Sequence, residues 1–209
     1  MGAQVSLPFD RPKRSRRGGK RERAGRKPSG AKAGPPHVRR PRIERLLPVH
    51  VTIRVAEHVY NLRSQRSFSV ICRAIGVAAE RFGVRILEFS VQGNHMHLVV
   101  EAAAHEALSR AMQGFSIRVA KGLNAMMKRR GRVLARRYHA RFLEDSADAS
   151  RVVRYVRNNY RRHMAQVGKL LPSTFVDPFA SPHADIELPP PRSRMLRGPP
   201  SYDGRAFVR

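Results

Sequence analysis

The sequence predicts an α+β fold: a ferredoxin-like split βαβ antiparallel sheet with an added C-terminal helix. Three observations predict it. Strand and helix periodicities alternate as β-α-β-β-α-β-α between about residues 47 and 168. An apolar fraction of 41% in 209 residues is enough for one core. On either side of that stretch the composition shifts, toward arginine and lysine before it and toward proline after it. The expected organisation is a basic disordered tail at 1–46, one domain at 47–168 and a Pro-rich tail at 169–209.

The elements follow in order. Val49-His-Val-Thr-Ile-Arg-Val is rich in β-branched residues and reads as a strand. Ser67 is a candidate cap for a helix in which Phe68, Ile71, Ile75, Ala78 and Phe82 recur at helical spacing, with Gly83 as its stop. Val84 to Val91 is the second strand, with Leu87, Phe89 and Val91 expected on one face. Gln92-Gly93-Asn94 is turn chemistry and returns the chain as a hairpin into Met96–Glu101. Leu108, Met112, Phe115, Val119, Leu123 and Met126 stripe a long helix, which Gly114 and Gly122 weaken and Gly131 ends. Tyr138 to Leu143 is a short fourth strand. Asp145, Ser146 and Asp148 offer caps for a last helix of about Ala149 to Gln166. Both earlier helices should lie on one face of the sheet, leaving the other free for a ligand or partner.

The formal net charge is +27. A surface so basic attracts polyanions, nucleic acid before anionic membrane. No apolar run is long enough to span a bilayer, and the basic N-terminus lacks the apolar stretch of a secretory signal. The single cysteine, Cys72, excludes an intrachain disulfide and a Cys-rich zinc site, so a cytoplasmic, nucleoid-associated protein is expected. The cluster Arg118, Lys121, Lys128, Arg129, Arg130, Arg132, Arg136 and Arg137 is a candidate track for a phosphate backbone. A solvated helix face is the ordinary alternative.

Two features carry chemistry. His95-Met96-His97 opens a strand, so both imidazoles point to one face and their spacing suits one metal ion. Two histidines are an incomplete site, and a hydrogen-bonded structural pair is an equal reading of that tripeptide alone. On the last helix, Tyr155 and Asn159 are one turn apart and share a face, at the edge of an apolar stripe that includes Val153, Val156 and Tyr160. A tyrosine there more often buries its ring and wets its hydroxyl. Tyr138, among Arg136, Arg137, His139 and Arg141, is a candidate DNA contact, as is Tyr60.

Asn94-His-Met-His-Leu-Val-Val resembles the His-hydrophobic-His motif of the HUH single-tyrosine transposases. His50-Val-Thr-Ile-Arg, Arg137-Tyr-His-Ala, and Arg154-Tyr155-Val156 followed by Asn159 are similar to the same family, particularly its REP-associated tyrosine transposase branch. The resemblance covers about residues 48–164. It implies that the last helix is catalytic and lies across the sheet, bringing Tyr155 to a magnesium or manganese ion on His95 and His97. It also implies a third ligand at Asn159, where many relatives have glutamine; Glu57 is a substitute the motif does not place. It implies cleavage and rejoining of single-stranded DNA with hairpin ends through a 5′-phosphotyrosine, with Arg154 or Arg157 favouring the phenolate. Relatives act as monomers or as homodimers. No Gly-rich nucleotide loop is present, in keeping with ATP-free strand transfer. Two other readings stand beside this one: a non-catalytic basic nucleic-acid-binding module, and a metal-dependent nuclease that uses water.

Overall fold

The computed structural model describes residues 45–197. The tail expected at 1–46 therefore falls almost wholly outside the described residues, as does the end of the chain beyond 197. The elements are β1 (Leu47–Arg54), α1 (Gln65–Ala78), β2 (Glu80–Arg81), β3 (Val84–Val91), β4 (His95–Ala102), α2 (His105–Met126), β5 (His139–Phe142), α3 (Ser146–Gln166), a 3₁₀ turn (Ser181–His183) and α4 (Arg194–Arg197). The strands form one sheet in the order β2-β3-β4-β1-β5, with antiparallel pairing throughout. Without the two-residue β2, the order is that of the expected split βαβ fold.

Helices α1 and α2 cover one face of the sheet. Val49, Val51 and Ile53 of β1 meet Met96, Leu98 and Val100 of β4 there, together with Phe68, Ile71, Ile75, Leu108, Met112, Phe115 and Leu123 from the helices. The two helices approach closely at Gly122, where a Cβ would stand 2.5 Å from Val70 Cγ1. That glycine thus serves packing, and its low helix propensity is the lesser effect.

The opposite face is not free, contrary to the expectation from the first two helices. Helix α3 lies across it, and Val152, Val153 and Val156 pack with Leu87, Val99, Leu143 and Leu196 in a second, smaller core. Asp145 caps α3 by accepting from Asp148 N at 2.7 Å, and Asp148 takes two hydrogen bonds from Arg141 of β5. Strand β3 is consequently buried along its whole length.

Several local expectations are corrected. Ser64, not Ser67, caps α1; its hydroxyl accepts from Ser67 N at 3.2 Å. Helix α1 ends at Ala78, and Phe82-Gly83 is the tight turn of the β2–β3 hairpin, both residues having positive φ (55° and 73°). Phe82 is accordingly exposed. A register shift between Ile86 and Glu88 turns Leu87 to the α3 side while Phe89 and Val91 stay with the main core. Nor is the chain loose directly after Leu170. Asp177 holds Arg63 through two hydrogen bonds, of 2.8 and 2.9 Å, and Ala180 bridges to Ser90. The fully buried Glu101 carboxylate accepts from the backbone N–H groups of Arg192 and Ser193 at 2.7 to 3.0 Å. Proline excludes regular structure there, yet fixed φ and side-chain acceptors suffice to seat an irregular segment.

Candidate functional site

Strand alternation builds the site. On β4, Met96 and Leu98 enter the main core while His95 and His97 face α3. The antiparallel register sets Thr52 opposite His97 and Arg54 opposite His95, and β5 adds His139 opposite Thr52. Along β4 the α3 side therefore runs from two histidines through the core residue Val99 to the anchor Glu101.

The histidines form a connected group. The rings of His95 and His97 are 4.9 Å apart, and those of His50 and His97 are 5.1 Å apart. His97 Nδ1 lies 3.0 Å from His50 Nε2 and 3.2 Å from Thr52 Oγ1, whereas its buried Nε2 has no hydrogen-bond partner. His95 Nδ1 donates to Asn94 Oδ1 at 2.8 Å. Burial lowers all three pKa values, to about 4 for His50 and His95 and about 3 for His97, with neighbouring positive groups adding to the effect. The three imidazoles are neutral at physiological pH, the state in which imidazole nitrogen donates to a metal.

Helix α3 brings Tyr155 to this group. Its ring centroid lies 5.4 Å from that of His97 and 5.9 Å from that of His50. One turn on, Asn159 is 1% exposed, and both polar atoms of its amide lack a partner. Buried carboxamides are nearly always bonded. The unpartnered Asn159 amide and His97 Nε2 leave an amide oxygen and a neutral imidazole as lone-pair donors on this face, a set that fits a divalent cation of the imidazole-accepting kind better than magnesium. Among the described residues no three His, Cys, Asp or Glu side chains are grouped to hold a metal, so Glu57, exposed beyond β1, is not part of such a cluster.

The other expected site residues divide. Arg154 is exposed on α3, and its carbonyl accepts from Asn158 Nδ2. Lys121, Lys128, Arg130, Arg136 and Arg137 are exposed. Arg129 turns its guanidinium onto the carbonyls of Arg130 and Arg132, bracing the loop it belongs to. The half-buried Tyr138 shares a 3.3 Å hydrogen bond with Ser109. The basic loop is tied to the end of β1, since Ala135 N donates to Arg54 O at 2.9 Å. Its later part thus runs beside the strand position paired with His95.

One tyrosine expectation changes, beside two arginines of the same helix. Arg157 pairs with the buried Glu88 under α3. Arg162 is the guanidinium above the Tyr155 ring, 5.4 Å from its centroid. Tyr160 is half-buried outside the apolar stripe, with the Arg63 guanidinium 3.5 Å over its ring. His50, Thr52 and His163 were missed; the His163 ring is 6.0 Å from that of His95. The polar alternation of His50, Thr52 and Arg54 was visible, but the register that sets it beside His97 was not.

The family model described as Transposase IS200 like matches residues 46–159, more than half of the chain. No curated protein matches. Among solved structures, a REP-associated tyrosine transposase bound to a REP hairpin is similar with a TM-score of 0.54 at 16% identity, over 72% of this chain and 84% of that chain. A candidate transposase from Deinococcus radiodurans R1 has a TM-score of 0.41 at 11% identity, over 67% of this chain and 99% of that chain. The first likeness concerns the fold; the family match spans β1 to Asn159 and thus both histidines and the tyrosine. The chain belongs to the IS200-like, single-tyrosine transposase family.

Proposed function

We propose that the protein cuts and rejoins single-stranded DNA with Tyr155 as nucleophile. His95, His97 and Asn159 would hold a magnesium or manganese ion. The observation that carries this reading is the approach of Tyr155 to within 5.4 Å of the His97 ring, beside unpartnered ligand atoms on His97 and Asn159. Bound there, the cation would offset the charge of a non-bridging phosphate oxygen. His50 and Thr52 hold His97 by Nδ1 and Asn94 holds His95 by Nδ1, so the Nε2 lone pair of each ring is left to ligate.

A phenol is weakly nucleophilic at neutral pH because its ordinary pKa is about 10. The Arg162 guanidinium lies 5.4 Å from the centroid of the Tyr155 ring and would offset negative charge on the attacked phosphate. Attack makes a Tyr155 Oη–phosphorus bond and breaks the P–O3′ bond. The phenolic proton passes to solvent and the departing oxygen takes one up as a 3′ hydroxyl. A 3′ hydroxyl returning to the phosphotyrosine reverses the exchange, so rejoining needs no nucleotide. We assign this chemistry to residues 47–168, with the backbone held by Lys121, Lys128, Arg129, Arg130, Arg136, Arg137, Tyr138 and Arg154. The basic residues 1–46 would add non-specific phosphate attraction.

The test is a denaturing gel of labelled single-stranded DNA, taken from the hairpin repeats beside the coding region and incubated with protein and manganese. The reading expects a covalent protein–DNA band that Tyr155→Phe abolishes. Cleavage retained in Tyr155→Phe would make the protein a nuclease that uses water; binding without cleavage by the unaltered protein would make it a binding module.

A further inference from the structure

Helix α3 rests on the sheet through Val152, Val153 and Val156. Apolar contact is not directional: it fixes how close a helix lies and resists a roll about the helix axis only weakly. A roll would displace Tyr155. At about 100° per residue, Tyr155 and Arg157 stand on opposite flanks of the fully buried Val156. Tyr155 leans toward His97 of β4 and His50 of β1, whereas Arg157 reaches Glu88 of β3. The strand order β3-β4-β1 agrees with that division. Any roll that lifts one of these side chains lowers the other.

The carboxylate that Arg157 reaches is held still. The register shift between Ile86 and Glu88 sets Glu88 opposite Val99, on the α3 side, where unbroken alternation would turn it into the main core. Glu88 is 4% exposed. One of its oxygens accepts from the Arg157 guanidinium and the other from the Ser181 hydroxyl. Ser181 is itself tied to β3: its Oγ accepts from Phe89 N at 3.4 Å, and the adjacent Ala180 bridges to Ser90. A guanidinium meeting a carboxylate fixed from its other side is a directional contact, which the apolar stripe does not provide. We propose that the Arg157–Glu88 pair is a positioning pair that sets the roll of α3, and with it the place of the Tyr155 phenol against His97 and His50. With side chains about 6 Å from the helix axis, a roll of roughly 10° carries Tyr155 through about 1 Å, a misplacement that can cost about 100-fold in rate. The effect on catalysis rests on the function proposed above; the effect on where the phenol stands does not.

The two are measured separately. The full chain is labelled with 3-fluorotyrosine, and the Tyr155 fluorine resonance is identified by its loss in Tyr155→Phe. The test variant combines Glu88→Leu with Arg157→Met, exchanging the ion pair for apolar side chains of similar volume, a change that need not lower stability. It should melt near the unaltered protein and bind single-stranded DNA with unchanged affinity. Its Tyr155 resonance should shift or broaden, while that of Tyr138, bonded to Ser109 away from α3, stays in place. Adduct formation at saturating DNA should slow about 100-fold. Arg157→Lys, which keeps the charge, should lose less. Should the double variant fail to fold, Ser181→Ala, at a half-buried position, frees one side of the carboxylate and should move the same resonance. A Tyr155 resonance unmoved in whichever variant folds, or a full rate at saturating DNA, overturns the positioning role even where the unaltered protein forms the adduct. A moved resonance supports it even where the unaltered protein forms none, and the function proposed above then fails alone.

Discussion

The two faces of this sheet are built from alternate residues of the same strands, and they differ in kind. The face under α1 and α2 is apolar from Val49 to Ile53 and from Met96 to Val100. The face under α3 is apolar only in its middle, at Leu87 and Val99; one end carries polar residues, among them His50, Thr52, His95 and His97. The first face yields stability. Between the second face and α3, His97 and Asn159 carry unpartnered polar atoms, which lower the stability of the fold. Sites for chemistry commonly break local rules that the rest of a fold obeys.

Substitutions on the two faces should therefore separate stability from activity. His97→Leu should reduce adduct formation to background, a loss on the order of that for other essential groups (10⁴-fold or more), while the melting temperature of the metal-free protein stays level or rises. Phe115→Ala on the other face should cost about 3–5 kcal/mol of stability by denaturant titration. Comparable destabilisation by His97→Leu would show that both faces are structural. Glu101→Ala, at the far end of the second face, should cost about 1–3 kcal/mol, because it strands the Arg192 and Ser193 amides. Proteolysis near residue 190 should speed up with it.

The sequence revealed most of this division, and its gaps are instructive. The order of elements and the His95/His97 pairing depend on short-range periodicity, which a sequence carries directly. The neighbours of His97 do not: His50 is 47 residues away, and only the β1–β4 register brings it there. The register shift at Ile86/Glu88 likewise moves Leu87 between faces without changing any local signal. The pairing of Arg157 with Glu88 is equally hidden, because the two lie 69 residues apart. The family resemblance supplied what periodicity lacks, a long-range arrangement, and the family match supports it.

Smaller effects sharpen the comparison. Gly122→Ala should cost about 1 kcal/mol in a thermal melt, since overpacking against Val70 (about 1–3 kcal/mol) exceeds the gain in helix propensity (about 1 kcal/mol). Val70→Ala should suppress it. A further effect should appear with pH. Above about pH 6.5 the imidazoles are neutral in folded and unfolded chains alike. As pH falls from there toward 4, the unfolded chain takes up protons that His50, His95 and His97 refuse, and stability drains away until they too protonate. The melting temperature of the metal-free protein should fall through that window, and less steeply in His97→Leu.

The approach of α3 to β4 has a consequence for stoichiometry. Tyr155 approaches both histidines within one polypeptide, so on the function proposed above no second copy has to lend a group. Catalytic output should then scale linearly with enzyme concentration. A blend of Tyr155→Phe and His97→Leu molecules should be as inert as either variant by itself, since neither could repair the other's missing group.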